Sequence, residues 1–357
     1  MTLVGAPSEI RVLVADDSAV MRAGLSRMLE SSPIIRVCGT AKNGLETIEQ
    51  IKLLHPDVVT LDANMPMLDG IETLKQIMDE CPCPVIMVSR LTREGADVTA
   101  EAISAGAFDY VAKDDLQYEA DLGHGPNSLL EKVEAAAHSE LSQKVHELQG
   151  HGLPSIVSRE FQVVPEIAVI GTSTGGPRAL QQVISQIPAD LPIPLLVVQH
   201  MPAGFTGPLA KQLDGLSEIS VREAEHGEEI RPGMAYIAPA GQHTTLFGSG
   251  STVWVSLSGS PNDSTHKPSV DVTMSSAVAV FGRNVMGIIL TGMGSDGVKG
   301  MAAIRKAGGI TVGQDEASCA VYGMPRRCAE SGVLQTVVPL GEVTQVILEA
   351  LRYHPRE

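Results

Sequence analysis

The sequence predicts two α/β domains joined by a tether: a first built on a parallel sheet with crossover helices, and a second built on a mostly parallel sheet with a short antiparallel excursion. Three observations carry this prediction. Short apolar runs of strand length alternate with helix-like stretches from Ile10 onward; that rhythm stops over 124–161; and it resumes at Ile167. The 357 residues suffice for two separate cores.

In the first domain the strand-like runs are 12–15, 58–61, 85–88 and 110–112. The tether holds His-Gly-Pro-Asn, a polar helix-like run over 129–148, and the loop-forming Gln-Gly-His-Gly-Leu-Pro-Ser, and reads as a linker carrying a solvated helix. In the second domain apolar runs recur at 167–170, 195–198 and 287–290, and a helix near 343–352 closes the chain. The segment 234–258 differs, with shorter pieces at 235–238 and 253–257 separated by glycine turns, and is expected to be the antiparallel excursion. The expected boundaries are 10–123, 124–161 and 162–353.

Composition excludes several classes. Residues 1–123 hold 10 Lys+Arg against 20 Asp+Glu, net −10, and residues 124–357 hold 16 against 22, net −6. Neither half has the basic footprint that nucleic acid requires, and 11 aromatic residues make a poor stacking platform. Nucleic acid is therefore not an expected partner. The longest apolar stretches, such as 285–290, fall far short of the roughly 20 residues of a membrane span, so no membrane insertion is expected. The N-terminus lacks a signal-peptide design and the five cysteines lack zinc-type spacing; a cytoplasmic protein with reduced thiols is expected.

Each strand-like run of the first domain ends in a polar residue: Asp16 and Asp17, Asp62, Ser89 and Lys113. The carboxyl ends of parallel strands line one crevice, so these side chains should converge. Three carboxylates suit a hard cation such as Mg2+, leaving a position for a phosphoryl oxygen; Lys113 and Ser89 supply a positive charge and a hydroxyl for the same group. This set, with Met65-Pro66-Met67-Leu68-Asp69-Gly70, resembles the receiver domain of two-component response regulators over about 10–123. The resemblance implies a flavodoxin-like doubly wound sheet, Asp62 as phosphoacceptor, Asp16 and Asp17 as partners in holding Mg2+, and Ser89 and Lys113 as sensors of the phosphoryl group. One departure is Asp114, where receivers usually carry proline; a cis bond there would cost about 3–4 kcal/mol, so the peptide is trans or locally compensated.

In the second domain, Gly171-Thr172-Ser173-Thr174-Gly175-Gly176 follows an apolar run and precedes Pro177, placing a serine on a glycine-rich strand-to-helix turn of Gly-x-Ser-x-Gly type. Alone, such a turn serves equally as a phosphate cradle. A nucleophilic serine needs a base, and of the ten histidines only His200 directly follows a buried-looking strand at the same sheet edge. His243 and His266, in polar surroundings, are weaker rivals. Asp296, in the glycine loop Thr291-Gly292-Met293-Gly294-Ser295-Asp296-Gly297, is the best partner for that base, with a helix N-cap as its competing role. The backbone N–H of Thr174, or those of the glycine loop at Met293 and Gly294, would form the oxyanion hole.

The order Ser173, His200, Asp296 differs from the Ser, acid, His order of an α/β-hydrolase. These stretches, together with Lys267-Pro-Ser-Val-Asp-Val, resemble the catalytic domain of the CheB family of chemotaxis protein-glutamate methylesterases over about 165–351. The resemblance implies a three-layer α/β domain that hydrolyses γ-glutamyl methyl esters of methyl-accepting chemoreceptors and deamidates receptor glutamines, without a cofactor for the ester chemistry. The kinase of a chemotaxis pathway is the implied phosphodonor. Phosphorylation of Asp62 is expected to relieve a cover over Ser173 and raise activity. A nucleotide-gripping module would leave His200 unexplained, and a DNA-binding effector is opposed by the length, acidity and β/α alternation of the second domain.

Overall fold

Two parallel sheets organise the chain in a computed structural model that describes residues 9–89, 101–103, 105–113, 116, 128–138, 161–249, 252–261, 264 and 266–353. The chain divides into two compact units, Met1–Gly150 and His151–Glu357.

In the first unit, β1 (Ile10–Ala15), α1 (Ala19–Leu29), β2 (Ile35–Ala41), α2 (Gly44–Leu54), β3 (Val58–Asp62), α3 (Gly70–Glu80), β4 (Val85–Ser89) and β5 (Asp109–Ala112) are followed by α4 (Leu129–Ala137). The strands form a parallel sheet in the order β2-β1-β3-β4-β5, the doubly wound arrangement that the receiver resemblance implied. β3, β4 and β5 are buried throughout, which is why they read as continuous apolar runs. Ser18, Asn43 and Asp69 cap α1, α2 and α3, each accepting the N–H three residues on.

The reading of a solvated linker helix does not hold for α4. Leu129, Leu130, Val133 and Ala136 are buried, the helix packs against β3 and β4, and Lys132 Nζ donates to the Tyr110 carbonyl at 2.6 Å. An apolar stripe at helical spacing among charged residues gave the run its polar look. Residues 124–127 and 139–160 of the tether, and Asp114, lie outside the described residues.

In the second unit β6 (Ile167–Thr172), α5 (Gly176–Ile184), β7 (Leu195–Gln199), α6 (Thr206–Leu216), β8 (Ser220–Glu223), β9 (Met234–Ile237), β10 (His243–Ser249), β11 (Thr252–Ser258), α7 (Val270–Phe281), β12 (Val285–Ile289), α8 (Val298–Ala307), β13 (Ile310–Gln314), α9 (Met324–Glu330), β14 (Thr336–Val338) and α10 (Val343–Ala350) follow in order. Seven strands pair in parallel as β14-β13-β12-β6-β7-β9-β8. Alternate residues feed two cores. Ala168, Ile170, Leu195 and Val197 join one face, and Ile167, Val169, Leu196 and Val198 the other, so the sheet is the middle of three layers.

The antiparallel excursion is narrower than 234–258. β9 belongs to the parallel sheet, seated between β7 and β8 with Ala235, Tyr236 and Ile237 buried; among the strands of the described residues β10 and β11 alone pair antiparallel with each other, as a separate hairpin. Among the described residues no helix is long and apolar enough to cross a membrane, and the five cysteines are free thiols.

Candidate active site

The strand order β12-β6-β7 sets the loops after these three strands side by side at one sheet edge. Thr172 pairs with Gln199 and Gly171 with Ile289, so Ser173, His200 and the loop of Asp296 leave the sheet as neighbours. Two bonds tie the first two turns together: His200 N–H donates to the Thr172 carbonyl at 3.1 Å, and Gln199 Nε2 donates to the Ser173 carbonyl at 2.9 Å.

Ser173 sits in the turn between β6 and α5, where Gly175 takes φ +74° and Pro177 occupies the first turn of the helix. On the other side the chain crosses at Gly292, where a Cβ would lie 2.7 Å from the Ser173 Cβ, so only glycine permits the approach. Ser173 is 2% exposed, which makes this a packed elbow and not an open turn.

His200 and Asp296 meet at 2.8 Å between Nε2 and Oδ2. An ionised carboxylate only accepts, so Nε2 carries the proton and Nδ1 is the basic nitrogen. Nδ1 is buried and has no hydrogen-bond partner among the described residues. The Asp296 carboxylate receives four further donors: Ser269 Oγ at 2.9 Å and the N–H groups of Val270 at 2.7 Å, Asp271 at 3.0 Å and Gly297 at 3.1 Å. Burial by itself would raise its pKa; His200 and the backbone N–H groups outweigh that and hold the carboxyl well below the usual carboxylate range. Asp296 does not cap α8, whose N-cap is Gly297. It lies instead at the N-terminus of α7, where the first N–H groups favour an anion.

Two rivals for the base prove to be part of the surroundings of this site. The His266 ring stacks on that of His200, centroids 4.0 Å apart and planes 3° from parallel. His243 is fully buried; its Nε2 bonds the Pro261 carbonyl at 2.9 Å and its Nδ1 accepts the Ser269 N–H at 3.3 Å. Neither is a surface histidine. Ser269, which the sequence did not single out, caps α7 through Val272 N–H while donating to Asp296; the Ser-Val-Asp-Val run after Pro268 was its only signal. Of the oxyanion-hole candidates, Thr174 is buried beside Ser173, and among the described residues no acceptor pairs with the backbone N–H of Met293 or Gly294.

The first unit gathers its own set. β1, β3, β4 and β5 are consecutive in the sheet and deliver Asp16 and Asp17, Asp62, Ser89 and Lys113 to one edge. Lys113 Nζ lies 2.8 Å from Asp16 Oδ2 and 2.8 Å from Asp62 Oδ2. Carboxylate oxygens of Asp16, Asp17 and Asp62 lie within 4.8 Å of one another, a hard-oxygen donor set of the kind Mg2+ prefers. Burial raises the Asp62 pKa against the opposing pull of Lys113, with Asp16 adding to the rise; burial would lower that of Lys113, but its bonds to Asp16 and Asp62 raise it.

Comparison with known proteins matches the CheB methylesterase family to residues 168–347 and the response regulator receiver domain to residues 12–118. A protein-glutamate methylesterase/protein-glutamine glutaminase 2 of Nitratidesulfovibrio vulgaris is 42% identical over 96% of this chain and 99% of its own length. One from Symbiobacterium thermophilum is 45% identical over 96% of this chain and 97% of its own. Among solved structures, the Thermotoga maritima CheB methylesterase catalytic domain is 41% identical and superimposes with a TM-score of 0.51, covering 52% of this chain and 99% of that one.

Proposed function

Because the chain belongs to the CheB methylesterase family and carries a response-regulator receiver domain ahead of its esterase domain, we propose that Ser173, His200 and Asp296 perform its ester hydrolysis under the control of a phosphoryl group on Asp62. Its activity is that of a protein-glutamate methylesterase and protein-glutamine glutaminase. The substrates are γ-glutamyl methyl esters and glutamines of chemoreceptors.

The observation that carries the assignment is the 2.8 Å bond from His200 to Asp296, which leaves Nδ1 as a buried base with no hydrogen-bond partner among the described residues, on a residue adjoining the Ser173 turn. Ser173 Oγ attacks the side-chain carbonyl while Nδ1 takes its proton. Asp296 stabilises the imidazolium, and the N–H of Thr174, or those of Met293 and Gly294, receive the oxyanion. The C–O bond of the tetrahedral adduct breaks and His200 returns the proton to methoxide, releasing methanol; for glutamine, ammonia leaves. Nδ1 then deprotonates a water that attacks the acyl-enzyme, freeing the glutamate carboxylate and Ser173.

In the receiver, Asp16, Asp17 and Asp62 are the residues that would hold Mg2+. When bound, the ion neutralises charge between the acceptor carboxylate and the incoming phosphoryl oxygens. The Asp62 carboxylate attacks phosphorus on the phosphohistidine of a chemotaxis kinase, the P–N bond breaks and the histidine leaves; Lys113 exchanges its carboxylate contacts for a phosphoryl oxygen with the Ser89 hydroxyl alongside. The receiver extends over 10–123 together with α4, which packs on its sheet, and the esterase over 162–353.

The test is methanol release from methylated receptor: Ser173→Ala and His200→Ala should each lower turnover by about 10^4-fold. Undiminished release by Ser173→Ala would refute the assignment.

A further inference from the structure

We propose that His266 is a positioning residue of the esterase, its ring stacked on His200 so as to hold the plane of the base whose Nδ1 receives the Ser173 proton. This rests on the assignment of Ser173 and His200 above. The bond from Nε2 to Asp296 fixes one point of the His200 ring. Rotation about that point would swing Nδ1 away while preserving the bond. A second ring parallel within 3° at 4.0 Å opposes every rotation that tilts the His200 plane, because a tilt opens the stack.

The stack also suits the charge that the reaction creates. Burial, and then the neighbouring His200, bring the pKa of His266 down to about 4, against the opposing influence of Asp296. At neutral pH an uncharged π face therefore lies against the base, and it tolerates an imidazolium there as a cation–π partner. A second use of the cluster is excluded by the same geometry. His200, His266 and Asp296 bring ligand atoms within 4.8 Å of one another, yet a metal ion lies near the plane of each imidazole it binds, and parallel planes do not meet at an ion.

Leu and Phe at position 266 separate the flat face from its volume and its nitrogens. In the full-length chain, His266→Leu is expected to lower kcat by about 3- to 10-fold, and Ser173 labelling by a fluorophosphonate by the same factor, while KM changes by less than about twofold. His266→Phe, which keeps a flat ring and no ring nitrogen, should return kcat to within about twofold of the parent. A His266→Leu enzyme at the parent rate overturns the proposal. So does a folded His266→Phe enzyme as slow as the Leu variant, which would assign the role to the ring nitrogens, or a rise in KM alone, which would make the residue a substrate contact. Ser173→Ala measured beside them separates the two failures: surviving turnover there removes the site itself, whereas an inert Ser173→Ala with an unimpaired His266→Leu removes only the stack.

Discussion

At the residue scale, Asp296 is where burial and charge are reconciled. A buried carboxylate is costly unless its oxygens are satisfied, and here five donors surround it, two of them N–H groups of the first turn of α7. Ser269 belongs to both arrangements, capping α7 and donating to Asp296. Ser269→Ala should therefore lose about 1–2 kcal/mol in urea unfolding and also slow methanol release, with Ser269→Thr restoring much of both. His266 gives a pH dependence whose sign is fixed by its direction of shift. Its ordinary pKa of 6.5 falls to about 4 in the folded chain, where it faces His200 and Asp296. Between those values the unfolded chain binds the extra proton, so stability declines as pH drops from about 6.5 toward about 4. With allowance for its partial exposure to solvent, the loss is about 2 kcal/mol. In His266→Phe that part of the slope should vanish from a series of thermal or urea melts.

At the scale of elements, the elbow before α5 depends on one backbone conformation. Gly175 takes φ +74°, and a Cβ there would lie 2.5 Å from the Ala320 Cβ, so strain and collision act together. Gly175→Ala should destabilise the chain by more than about 2 kcal/mol and lower Tm by several degrees. A melt unchanged within error would show that the turn can relax. This elbow was legible in the sequence because a glycine turn between an apolar run and a proline is a local signal. So were the central strands β3, β4, β6, β7 and β12, whose burial on both faces leaves uninterrupted apolar runs. β2 was not, since Ile35–Ala41 is an edge strand with mixed exposure, and neither were β8 and β14, short strands at the edges of the larger sheet. The pairing of His200 with Asp296 could be proposed from strand ends. The roles of Ser269, His243 and His266 could not, because each comes from tertiary contacts between the segment that enters α7 and strands distant in sequence.

At the scale of the whole molecule, the two proposed chemistries occupy two sheet edges in separate units, and regulation requires an energetic link between them. An acyl phosphate at Asp62 carries roughly 1.5 to 2 negative charges where the carboxylate carried one, in a stretch, 1–123, whose net charge is already −10. It can raise hydrolysis at Ser173 only to the extent that phosphorylation is favoured in the active state, about 1.4 kcal/mol of coupling for each tenfold of stimulation. Three full-length enzymes test this with methylated receptor and a small phosphodonor. The parent should release methanol faster with the donor than without it. Asp62→Asn should give one rate under both conditions, because the amide is no nucleophile toward phosphorus. Ser173→Ala should take up phosphate and release no methanol, since its acceptor edge is intact and its esterase edge is not. A chelator should cancel the stimulation of the parent and leave its unstimulated rate if, as proposed, the ester chemistry draws on Ser173, His200 and Asp296 while the acceptor site draws on a cation held by Asp16, Asp17 and Asp62. Stimulation that persists in Asp62→Asn would place the phosphoacceptor elsewhere, and a basal rate lost to the chelator would require a cation in the esterase unit, which the parallel rings of His200 and His266 are poorly arranged to bind.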